Sequence, residues 1–150
     1  IDNEIIFDLA SYSGYLQTEG NSRSKGIELV ASLPLSERWL IEGNFTTLDA
    51  TQQNGGDRAY RPELTGRASV LFSSAHWRAR LTARYTGEAV DPFMTSIDDT
   101  LTIDLTAQWQ VSKQWTLEAR LLNLTDHTDQ QLPGYNMPGM TAYAGVRMKL

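Results

Sequence analysis

The sequence of 150 residues contains no cysteine. A disulfide framework and a thiolate metal site are therefore excluded. The sequence also lacks any run that approaches the roughly 18 to 20 apolar residues of a transmembrane helix, and its mean hydropathy is −0.37. These two absences leave a membrane location open, because strands that cross a membrane alternate apolar and polar residues and average to a hydropathy near zero.

Positive charge is also scarce. Thirteen Lys and Arg residues stand against eighteen Asp and Glu residues, which gives a formal net charge of −5. The cations are spread along the chain without a basic run, which argues against a nucleic-acid partner, because such a partner usually requires a basic face. The first residue, Ile1, is not followed by the basic and apolar segments of a signal peptide. We therefore expect either that a leader has been removed or that the sequence is a piece of a longer protein.

What the sequence does contain is alternation. Every second residue of the segment 101–111 is apolar, and the residues between are Thr, Asp or Gln. Successive side chains of a strand point to opposite faces, so this segment has one apolar and one polar face. A strand of about eleven residues also has the length that crosses a bilayer when it is tilted. The pattern predicts one strand of a transmembrane wall.

The same alternation recurs along the whole chain, and no long helical periodicity competes with it. The eight predicted strands span residues 4–10, 24–33, 39–48, 64–73, 77–85, 101–111, 115–123 and 141–150. Short connections (34–38, 74–76, 112–114) alternate with long polar ones (11–23, 49–61, 87–100, 125–139). Short turns at one end and long loops at the other are typical of outer-membrane barrels. The sequence therefore predicts an all-β, antiparallel, up-and-down transmembrane β-barrel segment of about eight strands.

Aromatic residues mark the predicted strand ends. Trp39, Trp77 and Trp115 each follow a short turn, while Phe45 and Tyr85 lie toward the long loops. Amphipathic aromatic side chains favour the headgroup level of a membrane, so we expect two aromatic girdles. The alternative is that the tryptophans close one end of a soluble core.

The polar sides of the predicted strands carry charges of both signs. This predicted lumenal set comprises Glu28, Glu42, Asn44, Arg67, Arg78, Arg80, Arg84, Asp104, Gln108, Gln110, Glu118, Arg120, Arg147 and Lys149. In a soluble sandwich or lipocalin these residues would face bulk water; in a barrel they would face the lumen and pair across neighbouring strands. A closed eight-stranded barrel has little room inside, and isolated buried charges are costly. The charges therefore favour a wider barrel, of which these strands are a part.

Six short motifs, in order along the chain, resemble those of TonB-dependent outer-membrane receptors. They are Gly26-Ile27-Glu28-Leu29 ("GIEL"), Asn44-Phe45-Thr46-Thr47-Leu48-Asp49-Ala50 ("NYTYLDA"), Arg61-Pro62 ("RP"), Tyr85-Thr86-Gly87 ("YxG"), Asn123-Leu124-Thr125-Asp126 ("NLxD") and Gly134-Tyr135-Asn136-Met137-Pro138-Gly139 ("GYxxPGR"). In the last motif Met140 stands where the family usually has Arg. Each motif alone is weakly specific, but together they extend across nearly the whole chain.

The resemblance implies a barrel of about 22 strands in the Gram-negative outer membrane, filled by an N-terminal plug domain. Residues 1–150 would be its C-terminal portion, and the plug would be absent from this sequence. Such a receptor imports iron-siderophores, haem or cobalamin with energy supplied through TonB. The implied partners are outer-membrane lipid, the plug, TonB and a small metal chelate or cobalamin, and no cofactor is implied.

The resemblance also suggests where a ligand would bind. Long loops and the upper wall would supply Tyr12, Tyr15, Tyr60, Arg61, Phe93, Met94 and Tyr135, as stacking aromatics and a cation for a negatively charged chelate. The alternative is that these residues only pack the loops on one another. Arg67, Arg78, Arg80, Arg84 and Arg120 would instead face the lumen or the plug.

No catalytic constellation is present, so we do not expect an enzyme. No nucleophile motif or phosphate-binding loop occurs. His127 with Asp126 and Asp129 has no spacing that a metal requires, and a solvated loop cluster explains it better. No metal site is predicted.

Two other functions remain open from the sequence. One is a small autonomous outer-membrane barrel that acts as an adhesin or structural protein, and the other is a soluble lipocalin-like carrier. A plug domain upstream would separate a receptor from the first, and dependence on detergent would separate both membrane proteins from the second. As an isolated piece, the wall should have unpaired edges at 4–10 and 141–150.

Overall fold

A computed structural model describes residues 5–8, 10–17, 21–52, 55–128 and 134–149. This part of the chain consists of strands joined by turns and loops. Within it, no helix is long and apolar enough to cross a membrane. The all-β prediction is confirmed.

Seven strands form one antiparallel sheet, and they are β3 (Arg23–Pro34), β4 (Trp39–Thr51), β5 (Leu64–Ser73), β6 (Trp77–Thr86), β9 (Thr100–Gln110), β10 (Trp115–Leu122) and β11 (Thr141–Met148). Their order across the sheet is β11-β10-β9-β6-β5-β4-β3. Each main-sheet strand pairs with the main-sheet strands before and after it, as in an up-and-down meander. Seven of the eight predicted strands are therefore present, with the largest difference at β4, which continues to Thr51. Among the described residues the edge strands β3 and β11 do not pair with each other.

The prediction of a wall strand over 4–10 is wrong for the described residues, and residues 4 and 9 lie outside them. Here β1 (Ile5–Phe7) pairs with β2 (Tyr15–Gln17) in a separate two-stranded sheet. The Asp8 carboxylate accepts hydrogen bonds from the backbone N–H groups of Ala10 (2.9 Å) and Ser11 (3.2 Å). This Asx turn reverses the chain directly after β1. The described wall therefore has seven strands, and its first edge is β3.

The register of the sheet gathers the apolar side chains on one face, called here the apolar face. One row of it runs across six strands through Leu33, Ile41, Val70, Leu81, Leu105 and Leu121. Cross-strand partners lie on the same face because side chains alternate with period two along every strand. The alternate residues form the opposite, polar face.

None of the described residues forms a second layer over the apolar face. Leu29 is 62% exposed and Val146 is 64% exposed, and among the described residues Ile97 is the buried hydrophobic residue. A soluble lipocalin-like carrier would bury one face in a dry interior. The described sheet does not support that alternative, because its apolar side chains need a cover that these strands do not supply.

Aromatic side chains gather at the short-turn end of the apolar face. Trp77 and Trp109 are stacked with 5.3 Å between ring centroids, and Trp39 lies 4.9 Å from Phe72. Trp39, Trp77 and Trp115 open their strands, as predicted. Their placement fits one aromatic girdle at the end where the turns are short.

Candidate functional site

The five arginines predicted to face a lumen lie together on the polar face. The register places Arg67 opposite Arg84, Arg78 opposite Gln108, and both Arg80 and Arg120 opposite Thr106. Four strands, β5, β6, β9 and β10, thus share one polar surface. The predicted pairing of opposite charges can be followed on it residue by residue.

Arg80 reaches across a whole strand to its carboxylate. Its Nη2 lies 3.6 Å from Glu42 Oε2, although β5 runs between β4 and β6. The residue between them is Ser69, which is 2% exposed and hydrogen-bonded to Thr82 at 3.0 Å. A small side chain at this position leaves the path of the long arginine open.

Arg84 is tied to the loop end of the sheet through Asp104. The Arg84 guanidinium donates to Asp104 Oδ2, and Asp104 Oδ1 accepts the backbone N–H of Asn123 at 2.9 Å. One carboxylate therefore holds an arginine of the wall and the first residue of the long loop after β10.

A third ion pair closes the other end of the polar face. Arg147 Nη2 lies 2.5 Å from Glu118 Oε1, and Gln108 Nε2 approaches the same oxygen at 3.4 Å. Cross-strand pairing of opposite charges, expected from the sequence, is confirmed for these three arginines. Arg67, Arg78 and Arg120 are exposed and have no carboxylate within 4.0 Å in the part of the chain that the structure describes.

Asn123 organises the long loop between β10 and β11. Its Nδ2 donates to the carbonyl oxygens of His127 (2.8 Å) and Pro138 (3.0 Å), and its Oδ1 accepts from His127 N–H (3.1 Å) and the Thr125 hydroxyl (2.9 Å). Asn123 itself has a φ of 54°, a left-handed conformation that asparagine tolerates better than most residues. One buried amide thus holds both ends of the loop, which gives the "NLxD" resemblance a structural reason.

The loop between β6 and β9 folds into a hairpin of its own. Its strands are β7 (Ala89–Val90) and β8 (Ser96–Ile97). Asp91, which is 6% exposed, accepts hydrogen bonds at 2.8 Å from the N–H groups of Phe93 and Thr95. The tip residues Phe93 and Met94 are 67% and 52% exposed, and Met94 has a φ of 62°. A fixed turn therefore presents two apolar side chains to the outside.

Tyr60 and Arg61 lie beside this hairpin. The Tyr60 N–H donates to the Val90 carbonyl oxygen at 2.8 Å, which joins the β4–β5 loop to β7. Arg61 lines a cavity of about 400 Å³ at the junction of the two loops. Four carboxylates line the same cavity: Asp49, Asp57, Glu63 and Glu88. Arg61 therefore shares this cavity with four acidic side chains.

The seven predicted ligand-binding residues lie on different loop segments. Tyr12 and Tyr15 belong to the β1–β2 hairpin and are exposed, with Tyr12 at a φ of 52°. Tyr135 lies on the β10–β11 loop and is also exposed. The structure brings Tyr60 and Arg61 next to the hairpin that carries Phe93 and Met94. The role of these residues in binding stays a prediction.

Sequence reasoning missed several residues that shape this end of the molecule. The side chains of Asp91, Asp104 and Asn123 each form hydrogen bonds with backbone groups that are distant in sequence or belong to the same loop. Another missed signal is a Ser-x-x-Trp repeat in the short turns, with Ser36, Ser74 and Ser112 spaced by 38 residues. The Ser74 and Ser112 hydroxyls accept the N–H groups of Trp77 (3.1 Å) and Trp115 (3.2 Å).

The described residues contain no group of three or more His, Asp or Glu side chains that could hold a metal ion. His127 instead donates and accepts through its backbone to Asn123. Asp129, the third member of the cluster noted in the sequence, lies outside the described residues.

A family model described as TonB dependent receptor-like, beta-barrel, matches residues 1–124. No curated protein sequence matches the chain.

Solved structures with the same fold include the copper transporter OprC, at 19% sequence identity and a TM-score of 0.80, over 97% of this chain and 26% of that one. The ferripyoverdine receptor of the Pseudomonas aeruginosa outer membrane aligns at 17% sequence identity and a TM-score of 0.78, over 98% of this chain and 23% of that one. The ferric-catecholate import receptor Fiu from E. coli K12 aligns at 20% sequence identity and a TM-score of 0.75, over 98% of this chain and 23% of that one. The chain thus spans about a quarter of the length of each.

Proposed function

The chain belongs to the family of TonB-dependent receptor β-barrels, and from this membership we propose that it forms part of the wall of an outer-membrane receptor that imports a scarce nutrient. The family consists of transport receptors and not of enzymes. We further propose that residues 1–150 are the C-terminal portion of a barrel of about 22 strands in a Gram-negative outer membrane.

One observation carries this proposal. The seven-stranded sheet presents a continuous apolar face that no other described segment covers, and an opposite face with arginines and carboxylates. Lipid hydrocarbon covers such an apolar face at no cost in polar groups, because every inner strand of the meander has paired its backbone with neighbours. The polar face then lines a hydrated or plugged lumen that accepts charges.

The free edges fit the same proposal. Both β3 and β11 end the described sheet without a further strand. In a closed barrel, each edge would pair with another strand of the same protein, which removes exposed N–H and C=O groups from the membrane. A plug domain and TonB would then supply the gate and the energy.

The ligand is proposed to be a metal chelate or cobalamin, with haem as another candidate. The structurally similar proteins carry names that refer to copper, ferripyoverdine and ferric catecholate. In this chain the exposed Phe93 and Met94, with Tyr60, Tyr12, Tyr15 and Tyr135, offer flat or soft apolar surfaces at the long-loop end.

The experiment is an uptake screen in cells that lack the full-length receptor. Radiolabelled ferric siderophores, haem, cobalamin and copper are each supplied at limiting concentration, with and without the gene and with and without a functional TonB. We expect TonB-dependent uptake of one ligand class to return with the gene. Uptake that never depends on the gene, or a gene product recovered without detergent, would contradict the proposal.

A further inference from the structure

We propose that Arg67, next to Arg84 on the polar face, is a docking site for a carboxylate of the plug domain, that is, for an Asp or Glu side chain of the segment that fills the barrel. The inference rests on the proposed function, because it takes the polar face to line a plugged lumen.

Two arginines lie directly opposite each other on the polar face. Arg67 on β5 and Arg84 on β6 are register partners on the same face. Like charges directly opposite each other destabilise a sheet unless an anion lies between them. On the other side of Arg67, its partner on β4 is the neutral Asn44. Neither register partner of Arg67 therefore balances its charge.

The carboxylates on the nearby strands are already engaged. Glu42, which lines the same cavity as Arg67, pairs with Arg80. Asp104 binds the Arg84 guanidinium through one oxygen and the Asn123 N–H through the other. A move of Asp104 toward Arg67 would release the first residue of the β10–β11 loop. Arg84 thus has a carboxylate partner within the wall, whereas Arg67 has no ion pair among the described residues.

The polar face carries more positive than negative charges. Its strands carry six arginines (Arg67, Arg78, Arg80, Arg84, Arg120 and Arg147) and four carboxylates (Glu28, Glu42, Asp104 and Glu118). Six against four leaves an excess of two positive charges in a chain whose net charge is −5. Three of the carboxylates are held by arginines other than Arg67. The fourth, Glu28, lies on β3, two strands away from β5, and forms no ion pair among the described residues.

The surroundings of Arg67 have room for a side chain. A cavity of about 210 Å³ is lined by Glu42, Asn44, Arg67, Ser69 and Arg80, with Val30 and Ser32 at its edge. This volume is several times the ~30 Å³ that a water molecule occupies in the liquid. An entering carboxylate would meet the forked donors of Arg67, which suit bidentate binding, and the Asn44 amide beside it.

A protein carboxylate fits better than the transported ligand as the partner. A lumen filled by a folded segment excludes much of its water, so that an unpaired guanidinium there costs free energy at all times. A ligand would relieve this cost only during its passage. A carboxylate of the plug relieves it permanently and also fixes the plug against β5.

The test uses the full-length receptor in detergent and measures the rate at which a protease cleaves the plug. We expect Arg67→Gln to raise the cleavage rate at least tenfold and Arg67→Lys, which keeps the charge, to raise it less. The matched control is Arg147→Gln, which removes an arginine of the same face whose partner, Glu118, lies within the wall. Its cleavage rate should stay within twofold of the wild type.

A charge swap identifies the partner. Arg67→Glu should release the plug further, and one Asp→Arg or Glu→Arg change in the plug should restore the wild-type rate. Equal cleavage rates for Arg67→Gln and the wild type would overturn the proposal. It would also be overturned if Arg67→Gln weakened binding of an anionic ferric chelate while the plug stayed protected, because the site would then serve the ligand. Uptake by the wild-type receptor reports the proposed function separately from these ratios.

Discussion

The substitution Leu105→Arg tests whether the apolar face contacts lipid. Leu105 is the sixth of the eleven residues of β9, and its register partners are Leu81 and Leu121. Eleven residues at a rise of ~3.3 Å and a tilt of ~45° span ~25 Å, which is the height of the apolar band of a membrane barrel. Leu105 is therefore expected near the bilayer midplane.

An arginine that faces lipid at the midplane costs about 2–4 kcal/mol of folding free energy. We expect Leu105→Arg to lower the free energy of unfolding by about 3 kcal/mol, a factor of about 150 in the folding equilibrium constant. The assay is an equilibrium urea titration of the full-length receptor folded into lipid vesicles. If the apolar face were instead a water-exposed surface, the change would stay within about 0.5 kcal/mol.

Two further variants of β9 control for side-chain size and for depth. Gln108→Arg places the same side chain on the polar face, where Glu118 Oε1 lies 3.4 Å from the present amide nitrogen and can accept the new cation. Its cost should stay within about 1 kcal/mol. Ala107→Arg lies one residue away from Gln108 but on the apolar face, so it should resemble Leu105→Arg. Equal costs for Leu105→Arg and Gln108→Arg would refute the assignment of the two faces.

Three other perturbations have defined outcomes. Gly26→Ala should destabilise the receptor by about 1–3 kcal/mol in the same titration, because a Cβ atom at Gly26 would clash with the Thr47 carbonyl oxygen. Asn123→Ala should cost about 2 kcal/mol, since four hydrogen bonds are lost, and should speed proteolysis of the β10–β11 loop. The pKa of Asp8 is lowered from 3.8, chiefly by the Ser11 hydroxyl. The stabilisation by Asp8 is therefore present above pH 3.8 and lost as the pH falls through the lowered pKa, so the β1–β2 turn should open in acid.

A control variant accompanies each of these three predictions. Gly145→Ala should be nearly neutral, because its Cβ would approach no atom closer than 4.0 Å; a loss equal to that of Gly26→Ala would contradict the steric argument. Leu124→Ala should leave the loop protected from protease, since the backbone bond of Leu124 to Ile103 is unaffected. For Asp8, amide hydrogen exchange at Ala10, corrected for its intrinsic rate, should respond to acid in the wild type and stay unchanged in Asp8→Asn.

The strands of the wall were predictable because their signal is local. The alternation over 64–73 coincides with β5, and that over 77–85 misses only Thr86 of β6. The strand predicted over 4–10 failed for a reason that is also local, namely the Asx turn at Asp8. Apolar alternation was therefore not sufficient where a side chain offered the backbone an alternative partner.

The candidate site was only partly predictable. The five lumenal arginines share a face, as predicted, and for Arg78, Arg80 and Arg84 the even spacing within one strand required it. Their partners did not follow from the sequence, because Arg80 crosses a strand to reach Glu42 over the small Ser69. The grouping of Tyr60 with the β7–β8 hairpin also depends on a contact between loops some thirty residues apart.

The sequence by itself determined which residues face which side of the sheet, and hence that one face is apolar and the other charged. The direction of a side chain depends only on its own strand, so period two in the sequence is period two in space. The tertiary structure alone decided the register, and with it which charged residues become neighbours. Arg84 forms an ion pair with Asp104, and the register partner of Arg67 is another arginine. Register joins residues that are distant along the chain, and a shift by two residues would keep every side chain on its face while changing each of its cross-strand partners.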